Sequence, residues 1–308
     1  MSSKSSRRLL VTGAGGFVGR HVSQAVDRGA FGDVEVVEPP KGWDIRDNVA
    51  VSDFVEEVRP DHIIHLAALS FVPRSFEAPR ETFETNCIGT LNLLQALKNV
   101  RFSGRLLYVS SGDIYGRVPE DQLPVNEARW PEPRSPYGAS KVAAEQLCLQ
   151  SHRSDGLDVL IARPFNHVGP GQGAQFVLPA LAHQVVAIAD GKQVPVIDVG
   201  DIDSTRDFTD VRDVVAAYAA MLARGMAGET YVVGSGVERR IRDLLEAMCR
   251  IESVTVEIRQ NPAKMRPTEQ RRMVADATKL RRDTGWAPLT PMETTLMDIL
   301  KDARGHHE

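Results

Sequence analysis

The stretch Arg7-Arg8-Leu9-Leu10-Val11-Thr12, running straight into Gly13-Ala14-Gly15-Gly16-Phe17-Val18-Gly19, constrains this chain more than any other. A short apolar run predicts a buried strand, and the pattern from Phe17 through Ala25-Val26 predicts a helix right after the glycines. Each glycine has its own task there. Gly13 permits a tight turn, and Gly16 lets a pyrophosphate approach the backbone at the positive helix N-terminus. Gly19 allows the helix to pack closely on the strand. The spacing is Gly-x-x-Gly-x-x-Gly, not the commoner Gly-x-Gly-x-x-Gly. In this strand–loop–helix setting, the motif points to a dinucleotide site.

The alternation continues. Val34–Val37, Ile63–Ala68, Arg105–Val109, Asp158–Ala162 and Thr230–Val233 read as buried strands, and Asp207 to Ala223 as a strand followed by a helix. Glu81 to Leu97 reads as one long helix carrying Asn86. This predicts an α/β fold, a Rossmann-type doubly wound parallel sheet, with ligands at the carboxyl ends of the strands. Residues 1–165 and 205–235 would form the nucleotide-binding domain. Residues 166–204 and 236–308, helical or irregular, would form a smaller intercalated substrate-binding lobe.

Composition narrows the class. The 308 residues are 42% hydrophobic and 25% charged, as in a water-soluble globular protein. No apolar run nears the ~20 residues of a membrane span. The start, Met1 to Arg8, is polar and basic, so a cytoplasmic location is expected. Cys87, Cys148 and Cys249 are far apart and read as free thiols. A net charge of −4 argues against nucleic acid. One local exception stands out: Arg259, Lys264, Arg266, Arg271 and Arg272 surround a single acid, Glu269, and suit a small polyanion.

Candidate chemistry clusters at strand ends. Glu38 follows the second strand, where an acid would bond a ribose hydroxyl and repel a 2′-phosphate. Lys41 and Arg20 lie near in sequence and would do the opposite, so the residues alone leave NADH and NADPH open. Asp44-Ile45 offers an acceptor for an adenine amino group. Leu66-Ala67-Ala68 ends a strand in small residues against which a cofactor can lie. His62 and His65 read as structural. Asn86 in an apolar helix needs a partner, and a backbone group or water near Lys141 would serve. Ser111 ends the fourth strand, where the helix of Tyr137-Gly138-Ala139-Ser140-Lys141 begins. Tyr137 and Lys141, four apart, share a helix face, and an ammonium near a phenol would lower the phenol's pKa.

As one ordered set, the Gly13/Gly16/Gly19 loop, Asp44-Ile45, Leu66-Ala67-Ala68, Asn86, Ser111, Tyr137/Lys141 and Arg163-Pro164-Phe165-Asn166 resemble the extended short-chain dehydrogenase/reductase superfamily, in its nucleotide-sugar branch. Asn261 to Glu269 is similar to the Arg-Pro-Thr-Glu segment of GDP-mannose 4,6-dehydratases. The resemblance implies an NADPH- or NADH-dependent reduction of the C4 keto group of GDP-4-keto-6-deoxy-D-mannose to GDP-D-rhamnose. It implies Tyr137 as proton donor, Lys141 as its pKa-lowering partner and ribose ligand, and Ser111 as donor to the reacting oxygen. Gly13, Gly16, Phe17, Val18, Gly19, Asp44, Ile45, Leu66, Ala67, Ala68 and Asn86 would complete the cofactor site. Ser70, Asp113, Asn166, Val177, Arg206, Arg266 and Glu269 would meet the GDP-sugar. No metal is expected. A homodimer is expected, through the helices Glu81–Leu97 and Tyr137–Gln150.

The same branch holds 4,6-dehydratases and 4-epimerases. Dehydratases typically carry Asp-Glu or Ser-Glu after the Ser/Thr, where this chain has Gly112-Asp113. Glycine brings no acid or base and aspartate is a methylene shorter, which favours plain reduction. A non-catalytic nucleotide-binding regulator is the remote alternative, opposed by the intact Ser111/Tyr137/Lys141 set.

Overall fold

Six parallel strands form the central sheet: β1 (Arg7–Thr12), β2 (Val34–Val37), β3 (His62–His65), β4 (Arg105–Val109), β5 (Asp158–Pro164) and a later strand, Thr230–Val233. The computed structural model describes residues 6–261 and 270–305. The order is β2-β1-β3-β4-β5 and then Thr230–Val233. The connection from β1 runs to one side, to β2, and that from β3 to the other, to β4, so the crevice where strand order reverses opens above β1 and β3.

Alternation sorts the strand side chains between two cores. Leu9, Val11, Leu107 and Leu160 pack on one face with Val214, Tyr218 and Met221 of the helix Val211–Arg224. Leu10, Ile63, Leu106 and Ile161 pack on the other with Leu93, Leu97, Ala144 and Cys148. With both faces covered, the strands read as continuous apolar runs. A third core, with Leu181, Phe208, Leu245 and Ile299, lies in the remaining residues.

Those residues form two small sheets. Asn166–Val168 and Thr205–Asp210 pair in parallel, and Glu238–Arg240 joins the latter antiparallel. Val196–Val199 pairs with Glu257–Gln260. Two expectations change here. Asn166 opens a strand within a stretch expected to be helical or irregular, because the chain turns directly from the main sheet into the second one. Thr205–Asp210 also belongs to the second sheet, although the helix it feeds covers the first.

The long helix expected from Glu81 to Leu97 is helical throughout but not uniform. Pro79–Phe83 and Gly89–Asn99 are α-helical, and Glu84–Ile88 between them is a π turn. The extra residue in that turn is a common device for re-aiming a functional side chain. Here the turn contains Asn86. Cys87, Cys148 and Cys249 are free thiols. No helix among the described residues is long and apolar enough to cross a membrane.

Candidate active site

The glycine loop has the shape its sequence requires. Gly13 takes a φ of 76°, and a Cβ there would sit 2.9 Å from the backbone nitrogen of Ala67. A Cβ on Gly19 would run into the backbone of Ala14, while at Gly15 nothing lies within 4 Å. Gly16 caps the helix Phe17–Asp27 in extended geometry with no side-chain cap. The first N–H groups of that helix therefore remain available to an anion. Phe17 and Val18 are half-buried, and the Phe17 ring stacks on His167 with centroids 6.1 Å apart. Loop, open side and uncapped helix fit the pyrophosphate of a dinucleotide.

Beside it lies a cleft of about 310 Å³ lined by Gly13, Gly15, Glu38, Trp43, Asp44 and Ala67, among others. Ile45 is buried beneath Gly89, where any side chain would strike it. Asp44 already accepts from a neighbour. Arg46 grips both its oxygens, at 2.6 Å in the shortest contact, and holds its carboxyl below the usual range.

Of Leu66, Ala67 and Ala68, Ala67 lines this cleft, and two buried networks hold the backbone from Ala67 to Leu69. His65 bonds Thr12 Oγ1 through Nδ1 at 2.6 Å and Thr90 Oγ1 through Nε2 at 3.0 Å. Thr12 Oγ1 accepts from the Ala67 N–H. Burial drives the His65 pKa down to about 3, with the Lys141 charge adding to the drop, so the ring is neutral. In the second network, Asn86 accepts from Leu69 N at 2.8 Å. It donates to Leu69 O and to Ser140 Oγ, which in turn donates to Tyr137 O. The backbone group Asn86 holds is thus Leu69, and Ser140 is the link to the Tyr137 helix. Thr12, Thr90 and Ser140 were not singled out from sequence. Threonine ending a strand, and serine between the tyrosine and the lysine, were the available signals.

The helix Pro136–Asp155 starts where Ser135 Oγ accepts from Gly138 N at 3.0 Å, with Pro136 in the first turn. Tyr137 and Lys141 are both buried, and Tyr137 bonds Ser111. Ser111 also caps the short helix Gly112–Tyr115 by accepting from Asp113 N. Lys141 Nζ donates to Val109 O at 2.8 Å and lies over the Tyr108 ring. Its pKa is down to about 8, chiefly by burial, against the upward pull of Glu145 and Cys148.

The expected lowering of the Tyr137 pKa does not occur. Burial pushes it well up, the Asp113 carboxylate pushes further, and only the Ser111 bond pulls back. Lys141 shares the helix face, but its ammonium goes to the Val109 carbonyl and does not act on the phenol.

The chain is similar to known proteins over nearly all of its length. A family model for GDP-mannose 4,6-dehydratase matches residues 41–299. The GDP-6-deoxy-D-mannose reductase of Pseudomonas aeruginosa is 46% identical over 96% of this chain and 97% of its own. The solved structure of RMD from Pseudomonas aeruginosa complexed with NADPH superposes at a TM-score of 0.92, 45% identical, covering 98% of this chain and 100% of that one. A UDP-glucose 4-epimerase from Thermus thermophilus in complex with NAD superposes at 0.84, 32% identical, over 97% and 99%. This chain belongs to the GDP-mannose 4,6-dehydratase family, within the extended short-chain dehydrogenases.

The remaining expected residues that are described fall in three places. Asp113 is exposed near Tyr137, and the ring of Phe165 fills the space a side chain at Gly112 would need. Ser70 and Val177 are both exposed and flank Phe71 and Phe176, whose rings meet edge to face with centroids 6.1 Å apart. Asn166 is exposed on the second sheet. Arg206, on the strand beside it, donates to the Thr205 carbonyl at 2.7 Å. Arg266 and Glu269 lie outside the described residues, as do Lys264 and most of the segment they belong to. At the described edges of the basic cluster, Arg259 pairs with Glu257 and Arg272 with Glu238, so two of the five charges are already answered.

Proposed function

We propose that this protein reduces the C4 keto group of GDP-4-keto-6-deoxy-D-mannose to give GDP-D-rhamnose. The observation that carries this reading is the Ser111–Tyr137 pair at the end of β4, a buried phenol bonded to a half-buried serine. It supplies a positioned proton donor but no second acid–base pair at 112–113. The 46% identity to a GDP-6-deoxy-D-mannose reductase supports the nucleotide and the sugar. Bound NADH or NADPH supplies the hydride to C4. Tyr137 holds its proton at neutral pH because burial keeps the phenol up, and it gives that proton to the carbonyl oxygen as negative charge develops there. Ser111 donates to the same oxygen. Lys141, Asn86 and the glycine loop hold the dinucleotide, with 1–165 and 205–235 as its domain apart from the strand Thr205–Asp210, which belongs to the second sheet. Residues 166–204 and 236–308 hold the GDP-sugar, with Arg266 on the diphosphate and Glu269 on guanine or ribose. Incubation with the keto sugar nucleotide and each cofactor, followed by NMR of the product, tests the reading. GDP-D-rhamnose supports it; unchanged keto sugar contradicts it.

Lys141 makes the cofactor site sensitive to pH. Its charge is present below about 8 and is lost as pH rises through that value. Dinucleotide affinity should fall through the same window, and the inflection should be absent from Lys141→Met. A flat profile in the parent protein would show that the ammonium holds no ribose hydroxyl.

We place the protein in the cytoplasm, where its three free thiols stay reduced. We also propose a homodimer. Phe83 and Ile88, on the helical stretch 79–99, are 37% and 46% exposed, and that stretch packs on Pro136–Asp155. A two-fold copy of this helix pair would cover them. Light scattering at micromolar concentration should give twice the 33.9 kDa chain mass; a monomer contradicts the pairing.

A further inference from the structure

Glu38 lines the cleft beside the glycine loop. The two cofactors differ only at the adenosine 2′ position, a hydroxyl in NADH and a phosphate of charge near −2 in NADPH. That ribose lies at the end of the second strand. Glu38 follows β2 directly, is exposed, and lines the cleft together with Gly13 and Gly15. Ser23, on the helix after the glycine loop, donates to Glu38 Oε1 at 3.4 Å. Among the described residues Glu38 makes no ion pair.

The basic residues that would welcome a phosphate are elsewhere. Arg20 spends one terminal nitrogen on Gly15 O at 2.7 Å and the other on Gly171 O at 2.8 Å. Arg46 is committed to Asp44. Neither Arg20 nor Lys41 lines the cleft, and none of the residues lining it is basic. A 2′-phosphate would therefore face an unanswered carboxylate, whereas a 2′-hydroxyl would donate to it.

We propose that Glu38 makes this chain selective for NADH, in contrast to the related RMD structure complexed with NADPH. The proposal rests on the reductase reading for the cofactor class, and its test uses binding rather than turnover. Titration of the folded protein with NADH and with NADPH, followed by nicotinamide fluorescence, should give NADH a Kd at least about tenfold lower, since like charges at this range repel strongly. Glu38→Gln removes the charge at nearly constant shape and should close the gap, mainly through tighter NADPH. Arg20→Ala should leave the ratio of the two affinities unchanged. NADPH binding as tightly as NADH, or an unchanged ratio in Glu38→Gln, would overturn the assignment and leave the reductase reading standing. So would a selective loss of NADPH in Arg20→Ala, which would move the 2′ contact to that arginine. Failure of both dinucleotides to bind would overturn both.

Discussion

Tyr137→Phe is expected to bind dinucleotide and GDP-sugar nearly as the parent does, while kcat falls on the order of 10²- to 10⁴-fold, the usual worth of a positioned acid. The ring and its packing are kept; the proton is lost. Tyr137 sits in a low-dielectric pocket, bonded to Ser111 and near the Asp113 carboxylate, and both burial and that charge favour the protonated phenol. This state suits a donor in the reducing direction. Loss of kcat with unchanged KM in steady-state assays is the expected signature. A folded Tyr137→Phe enzyme working at close to the parent rate would move the proton source to Asp113 or water.

The second large effect is structural. Arg163 and Glu145 form a buried ion pair at 2.7 Å and 3.0 Å, and Arg163 also donates to the Tyr115 hydroxyl at 3.0 Å. Burial opposes the Arg163 charge, and Glu145 outweighs it. This pair fastens the Lys141 helix to β5 and to the short helix that Ser111 caps. Glu145→Ala would leave a guanidinium buried without its partner, at a cost of about 3–5 kcal/mol. Denaturant unfolding should show that loss. Combining Glu145→Leu with Arg163→Met should recover most of it, because no charge is then stranded. A single variant as stable as the parent would mean that water reaches Arg163.

What could be read from sequence was local. The glycine loop, the apolar strand runs and the start of the Tyr137 helix each depend on neighbours in the chain, so their residues announced them. Ser111 and Tyr137 were found because strand ends and helix starts converge in a doubly wound sheet. The features that escaped depend on distant partners. Asn86 could be seen to need a bond, but the π turn that aims it was hidden in a good helical pattern. His65 looked structural, yet its partners Thr12 and Thr90 lie 53 and 25 residues away. The effect of Lys141 on Tyr137 was misjudged because spacing reports a shared face, not the Val109 carbonyl that takes the ammonium.

The central claim is hydride transfer to C4 of the sugar, with no step at C5 or C6. It is tested most directly by supplying cofactor deuterated at the reactive nicotinamide carbon, together with GDP-4-keto-6-deoxy-D-mannose, and locating the label by NMR. One deuterium at C4 of the product is expected for each cofactor oxidised. Label at C6, or product formed with the cofactor still reduced and labelled, would contradict it.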